Sequence, residues 1–154
     1  MNNLFPIEGV IRHNPIRNGI KSNSNIMILE IDCSDELDKH YQWFVFNKYG
    51  IKLSSPMFGL HVSVIRPEEV DVNHLLWGTY ENHKITAFYS DLERHWEFWS
   101  LNIYSKDLVQ IREAFGLNPF FRLHMTIGRQ EKWDNLPIIP NLKHDTDFLD
   151  YKPI

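Results

Sequence analysis

Leu60-His61-Val62-Ser63-Val64-Ile65-Arg66 and Leu123-His124-Met125-Thr126-Ile127-Gly128-Arg129 share one pattern, Leu-His-x-[Ser/Thr]-apolar-x-Arg. Each run is apolar enough to read as a strand. Residues i and i+2 of a strand project from the same face, so each segment sets an imidazole beside a hydroxyl. Two imidazoles and two hydroxyls can cleave a phosphodiester without a metal ion, one ring removing a proton while the other delivers one. Arg66 and Arg129 stand at i+5 from each histidine and so face the other side of a regular strand, which suits surface or strand-end roles.

The sequence around the motifs reads as two related halves. Ile26 to Asp32 is apolar and β-branched, as in a buried strand; Ser34 follows as a helix N-cap, with Asp35 and Glu36 in the first turn. A helix is expected from Asp35 to about Tyr49, with Leu37, Tyr41, Phe44 and Val45 as its buried stripe and Gly50 as its left-handed stop. The first histidine strand comes next. Phe98 to Tyr104 reads as a second strand, Ser105 as an N-cap, Leu108, Ile111 and Phe115 as a helical stripe, and Gly116 as the stop before the second histidine strand. The order strand, helix, histidine strand is thus repeated, with the first helix longer by about one turn.

Between the halves, Pro67 to Gly78 reads as polar and partly helical. His83 to Tyr89 alternates as a strand that would pair with Glu97 to Tyr104 across a turn at Ser90 to Glu93. The first 25 residues, with Pro6, Pro15 and Gly19, look mainly irregular, as does the tail after Arg129, with Pro137, Pro140 and Pro153.

Composition bounds the function. A chain of 154 residues, 43% apolar, 14% aromatic and 23% charged, fits one soluble globular domain. Its net charge of −4 offers no broad cationic surface for long nucleic acid, while a local pocket can still hold a few phosphates. Cys33 is the only cysteine, so no internal disulfide forms and a reducing cytoplasm is expected. No stretch reaches the length of a membrane span and no leader is evident at Met1 to Val10, so no membrane association is expected.

Other chemistries find no support. His144-Asp145 is half of an HD-type metal site, and His40, His74, His83 and His95 lack partners at ligand spacing, so neither metal nor cofactor is expected. There is no glycine-rich phosphate loop, no H-E-x-x-H and no cysteine pair.

With His61-x-Ser63 and His124-x-Thr126 on duplicated strand-helix-strand units, residues 26 to 129 resemble the two-histidine (2H) phosphoesterase superfamily. Pro56 to Val64, together with Arg112-Glu113-Ala114-Phe115-Gly116-Leu117, is most similar to the anti-CBASS cyclic-oligonucleotide phosphodiesterases of bacteriophages. The resemblance implies an α+β fold of two pseudo-symmetric lobes of antiparallel sheet with outer helices around a central cleft. In a single domain spanning 1–154, lobe one would cover about 26–66, lobe two about 83–129, and residues 130–154 would form a tail closing over the ligand. It further implies metal-independent hydrolysis of 3′–5′ bonds in cyclic di- and trinucleotides, which counteracts CBASS immunity in the cytoplasm of a bacterial host. The family usually carries Thr where this chain has Ser63, a change that keeps the hydroxyl and loses a methyl group.

In that chemistry a 2′-hydroxyl attacks the neighbouring phosphorus and the 5′-oxygen departs. His61 and His124 are the expected proton carriers, with their roles left open, and Ser63 and Thr126 are expected to donate to the nonbridging oxygens. Trp77 and Tyr151 are candidates for stacking on a nucleobase, although core packing or lid closure suits them equally. An RNA-end or 2′,3′-cyclic phosphate processing enzyme of the same superfamily, or a module that only sequesters cyclic nucleotides, are the alternatives.

Overall fold

Among the described residues eight elements follow one another in the order β1 (Phe5–His13), β2 (Met27–Ile31), α1 (Leu37–Tyr49), β3 (His61–Ile65), β4 (Lys84–His95), β5 (Phe98–Tyr104), α2 (Lys106–Ala114) and β6 (His124–Arg129). The computed structural model describes residues 3–15, 25–32, 36–71 and 73–131. All six strands belong to one closed antiparallel barrel, β1-β2-β3-β6-β5-β4. The expectation of two separate sheet lobes with outer helices around a cleft is therefore overturned, and the strands within 26–66 and 83–129 belong to one barrel wall. The unit strand-strand-helix-strand does occur twice in chain order.

Closure comes from β1, which lies in the stretch expected to be irregular. Its first half pairs with β4, from Phe5 opposite Tyr89 to Val10 opposite Lys84, and its second half pairs with β2, from Gly9 opposite Ile31 to His13 opposite Met27. Pro6 and Gly9 suggest a break, yet Gly9 is required where the backbones crowd: a Cβ there would lie 2.7 Å from the Glu30 carbonyl oxygen and 2.7 Å from Leu29 Cγ.

The registers sort the wall into two faces. Ile11, Leu29, Val62, Met125, Leu101 and Leu92 stand opposite one another in turn across all six strands. The first five are fully buried. Burying each such side chain contributes about 1.5–3 kcal/mol. On the opposite face, one residue removed along each strand, the corresponding row runs Val10, Glu30, His61, Thr126, Ser100 and Glu93.

The helices cover the apolar face. Leu37, Tyr41, Val45 and Tyr49 recur at i, i+4 along α1; the Tyr41 ring lies 6.3 Å from Tyr89 and the Tyr49 ring 5.8 Å from Trp99. Phe44, expected in this stripe, is exposed. The helix starts at Leu37, after Glu36 in the left-handed region at φ 53°, and ends at Gly50 at φ 70°. Ser34, expected as its cap, lies outside the described residues. At α2, Ser105 Oγ accepts a hydrogen bond from the Leu108 N–H, and Gly116 at φ 72° closes the C-terminus, where the Leu117 N–H reaches the Arg112 carbonyl.

Two local expectations fail. Residues 67–71 and 73–78 form turns, with no helix among them. β4 runs straight through Ser90 to Glu93, absorbing the irregularity as a register shift between Tyr89 and Leu92, and the chain reverses instead at Trp96 (φ 55°) and Glu97. Among the described residues no helix is long and apolar enough to cross a membrane.

Arg112 fastens α2 to the barrel. It is 1% exposed and donates to the Val64 carbonyl at 2.8 Å, the Asn118 carbonyl at 2.9 Å and both Glu69 carboxylate oxygens at 3.1 and 2.9 Å. Burial pushes the Glu69 carboxyl up, but the hydrogen bonds from Arg112 and from the Arg66 N–H outweigh it and hold it below its ordinary range. This contribution to stability is therefore complete above that range and is lost as pH falls through the lowered value.

Arg112→Ala should destabilise the fold by about 2–4 kcal/mol, since it leaves the Val64 and Asn118 carbonyls and a partly buried carboxylate short of a donor, measured as urea unfolding free energy. A loss under about 1 kcal/mol would contradict this role. Gly9→Ala should cost about 1–3 kcal/mol through overpacking against β2, and a neutral effect would mean that the β1–β2 approach is looser than described.

Candidate active site

β3 and β6 meet at a single pair, Val62 opposite Met125. In an antiparallel pair this register sets His61 opposite Thr126 and Ser63 opposite His124. All four side chains share the face turned away from Val62 and Met125. His61 and His124 are then diagonal neighbours, with backbones about 7–8 Å apart, a span that one tetrahedral phosphate between two imidazoles can bridge. Both rings are largely buried, at 9% and 7% exposure, Ser63 is buried and Thr126 is partly so. The four residues that the sequence pattern singles out are thus brought together by one register.

The two histidines are held alike. His61 Nδ1 lies 3.1 Å from the Gly59 carbonyl, and His124 Nδ1 lies 3.4 Å from the Arg122 carbonyl, in each case two residues upstream. A carbonyl can only accept, so Nδ1 carries the proton and Nε2 becomes the basic nitrogen of the neutral ring. Equivalent tethers on both strands give the two rings matching tautomers.

Their electrostatic surroundings differ. Glu30 on β2 stands directly opposite His61 and lies 3.9 Å from the Arg12 guanidinium. Beside His124 is a buried polar cluster that sequence reading misses. Glu93, 2% exposed, accepts from Asn102 Nδ2 at 2.7 Å and from Arg122 at 3.2 Å, and it lies 3.0 Å from His95 Nε2. Arg122 also reaches Ser100 Oγ at 3.4 Å. Asn102 pairs with His124 and Ser100 with Thr126 across β5 and β6, which places this cluster next to the two motif histidines. The available signal was the i, i+2 spacing of Glu93 with His95, Ser100 with Asn102 and Arg122 with His124. The expected turn at Ser90 to Glu93 hides it.

The His124 pKa is held down to about 3. Burial is the largest cause, followed by the positive charge of Arg122, with His95 and His61 adding to it and the Arg122 carbonyl opposing it. His124 is therefore neutral across the physiological range.

A groove of about 410 Å³ continues the same face beyond Glu30, lined by Glu8, Val10, Glu30, Asp32, Lys84 and Thr86 with the backbone of Gly9 and Ile85. Three carboxylates against one lysine make it a poor seat for a phosphate. Trp77 lies elsewhere: its ring packs 4.9 Å from His13 and 5.9 Å from Phe115, beside α2 on the apolar side of the wall. Tyr151 and the tail 132–154 lie outside the described residues, as do His144 and Asp145. Among the described residues no three His, Cys, Asp or Glu side chains are grouped so as to hold a metal ion.

Comparison with protein-family models, with curated proteins and with solved structures finds no match to this chain.

A histidine that ionises near 6.5 when unfolded and near 3 when folded makes the folded state lose stability as pH falls from about 6.5 towards 3; its contribution is complete above that window. Urea unfolding of the wild type between pH 7 and pH 4 should show this decline, and His124→Asn should flatten part of it. An unchanged pH slope in that variant would contradict the depressed ionisation.

Proposed function

We propose that the protein is a metal-independent phosphodiesterase of the two-histidine type that hydrolyses 3′–5′ bonds of cyclic di- or trinucleotides. The observation that carries this reading is the Val62–Met125 register, which turns His61, Ser63, His124 and Thr126 to one face with both Nδ1 atoms tethered to carbonyls. A 3′–5′ linkage with an adjacent 2′-hydroxyl brings its own nucleophile, so two Nε2 atoms on either side of the phosphorus are what the reaction needs. Hydroxyls from Ser63 and Thr126 would stabilise the charge that builds on the nonbridging oxygens. The expected first product is a 2′,3′-cyclic phosphate, then opened by water.

A compact cyclic substrate suits the site better than long RNA. The chain carries net charge −4, and the groove beyond Glu30 sets three carboxylates against one lysine. A role in disarming cyclic-oligonucleotide immunity rests on the resemblance of residues 56–64 and 112–117 to the phage enzymes. The chemistry does not depend on two separate lobes, because both motifs meet at one seam of the barrel wall.

The test is incubation with a panel of cyclic dinucleotides, cyclic trinucleotides and short RNAs in EDTA, read by chromatography. The wild type should open cyclic oligonucleotides, and His61→Ala and His124→Ala should each lower the rate by about 10²- to 10⁴-fold. Ser63→Ala or Thr126→Ala should cost about 10²- to 10³-fold, with Ser63→Thr near wild type. Release of intact cyclic nucleotide after heat denaturation, with no turnover, would indicate a sequestering protein. Cleavage confined to RNA ends would indicate RNA processing.

A further inference from the structure

We propose that Arg122, clamped by Glu93, is a positioning residue that makes His124 the proton acceptor and His61 the proton donor of the reaction. The inference rests on the phosphodiesterase reading and adds the division of labour that the motif pair leaves open.

The argument begins from the fact that the two motifs are locally equivalent. Both rings sit on antiparallel neighbours related by the Val62–Met125 pair, each with Nδ1 tethered two residues upstream. Nothing within the motifs distinguishes acid from base, so the asymmetry has to come from what faces each ring. Around His124 stand Arg122 in the segment leading into β6, Asn102 and Ser100 on β5, Glu93 and His95 on β4, and Ser63 and His61 on β3. Around His61 stand Glu30 on β2, with Arg12 on β1 behind it, and Thr126 and His124 on β6. A fixed guanidinium thus neighbours one imidazole, and a carboxylate stands opposite the other.

Glu93 sets the position of that guanidinium. Its carboxylate is almost completely buried and shared among Arg122, Asn102 and His95, so Arg122 is held on the β5 side of His124 instead of turning to solvent. A buried arginine and glutamate are costly to desolvate, and in a wall otherwise rich in aliphatic side chains they have a reason to be present if the site uses their charge. Repulsion from Arg122 disfavours a proton on His124, in line with its depressed ionisation. Among the described residues no such fixed cation is paired beside His61 in the register, where Glu30 and its partner Arg12 stand.

The proton balance is as follows. His124 Nε2 takes the proton of the 2′-hydroxyl; the freed oxygen pair forms the O2′–P bond; the P–O5′ bond breaks; and its electron pair takes the proton from His61 Nε2. Products are a 2′,3′-cyclic phosphate and a 5′-hydroxyl, with His124 protonated and His61 neutral. Opening of the cyclic phosphate by water, with the roles reversed, restores both rings.

Two measurements test the assignment. In the first, the imidazoles of the ligand-free protein are titrated by NMR, with signals identified from His61→Ala and His124→Ala. His124 should remain neutral well below the pH at which His61 titrates. Arg122→Gln should raise the His124 titration by about one pH unit or more, while Arg122→Lys, which keeps the charge, should leave it near wild type. In the second, the same variants are given a cyclic dinucleotide whose scissile 5′-oxygen is replaced by sulfur, a leaving group that needs no protonation. His61→Ala should recover at least tenfold of its lost rate on this substrate, and His124→Ala should recover none.

A His124 that titrates at or above His61, or recovery by His124→Ala in place of His61→Ala, overturns the assignment. An Arg122→Gln variant that folds yet leaves the His124 titration unmoved overturns the part given to Arg122. A wild type that cleaves neither substrate overturns the phosphodiesterase reading itself, an outcome distinct from an inverted pattern of rescue.

Discussion

One residue pair, Val62 opposite Met125, joins the two strands that carry the histidine motifs, and the site depends on its register. Side chains alternate with a period of two, so a slip by one residue on either strand would move one imidazole and its hydroxyl into the apolar face and bring two aliphatic side chains out. The register is held by the fully buried row Ile11, Leu29, Val62, Met125 and Leu101, which extends it across neighbouring strands. The seam itself is short, and the core row therefore does more to hold the histidines in place than the β3–β6 ladder does. At the far end of β6, the Ser54 backbone takes over pairing with Arg129 in both directions.

Barrel closure explains how two similar halves bring their histidine motifs to one face. β1 bridges β2 and β4, and β3 bridges β2 and β6, so neither half has a separate sheet edge. The helices crowd the apolar face, and the polar face is left to hold the histidines, the hydroxyls and the Glu93 cluster. Burial of this polar set is expensive unless its members satisfy one another. Glu93, bonded to Arg122 and Asn102 and set beside His95, shows how that cost is met on the His124 side.

What could be read from the sequence was local chemistry. The two histidine strands, the Ser105 cap and the stops at Gly50 and Gly116 each follow from a few neighbouring residues, and the structure shows them there. The barrel could not be read, because closure depends on β1, where Pro6 and Gly9 act as strand residues although both usually signal breaks. Gly9 is tolerated because the Glu30 backbone approaches too closely for any side chain. Glu93 was hidden for a related reason: a register shift let β4 continue through a polar stretch that resembles a turn. Arg122 and Asn102 acquire meaning only when three strands are set in register, and Trp77 proved to pack beside α2 at a distance from the histidine face.

The central claim is that His61 and His124 converge on a single phosphorus atom. The most direct measurement is a crystal structure with a 2′-deoxy cyclic dinucleotide, which lacks the internal nucleophile and should stay intact. The account predicts one phosphate between the two Nε2 atoms, within hydrogen-bonding distance of both, with Ser63 and Thr126 on its nonbridging oxygens. A phosphate bound to only one ring, or a ligand seated wholly in the Glu8–Glu30–Lys84 groove, would contradict it.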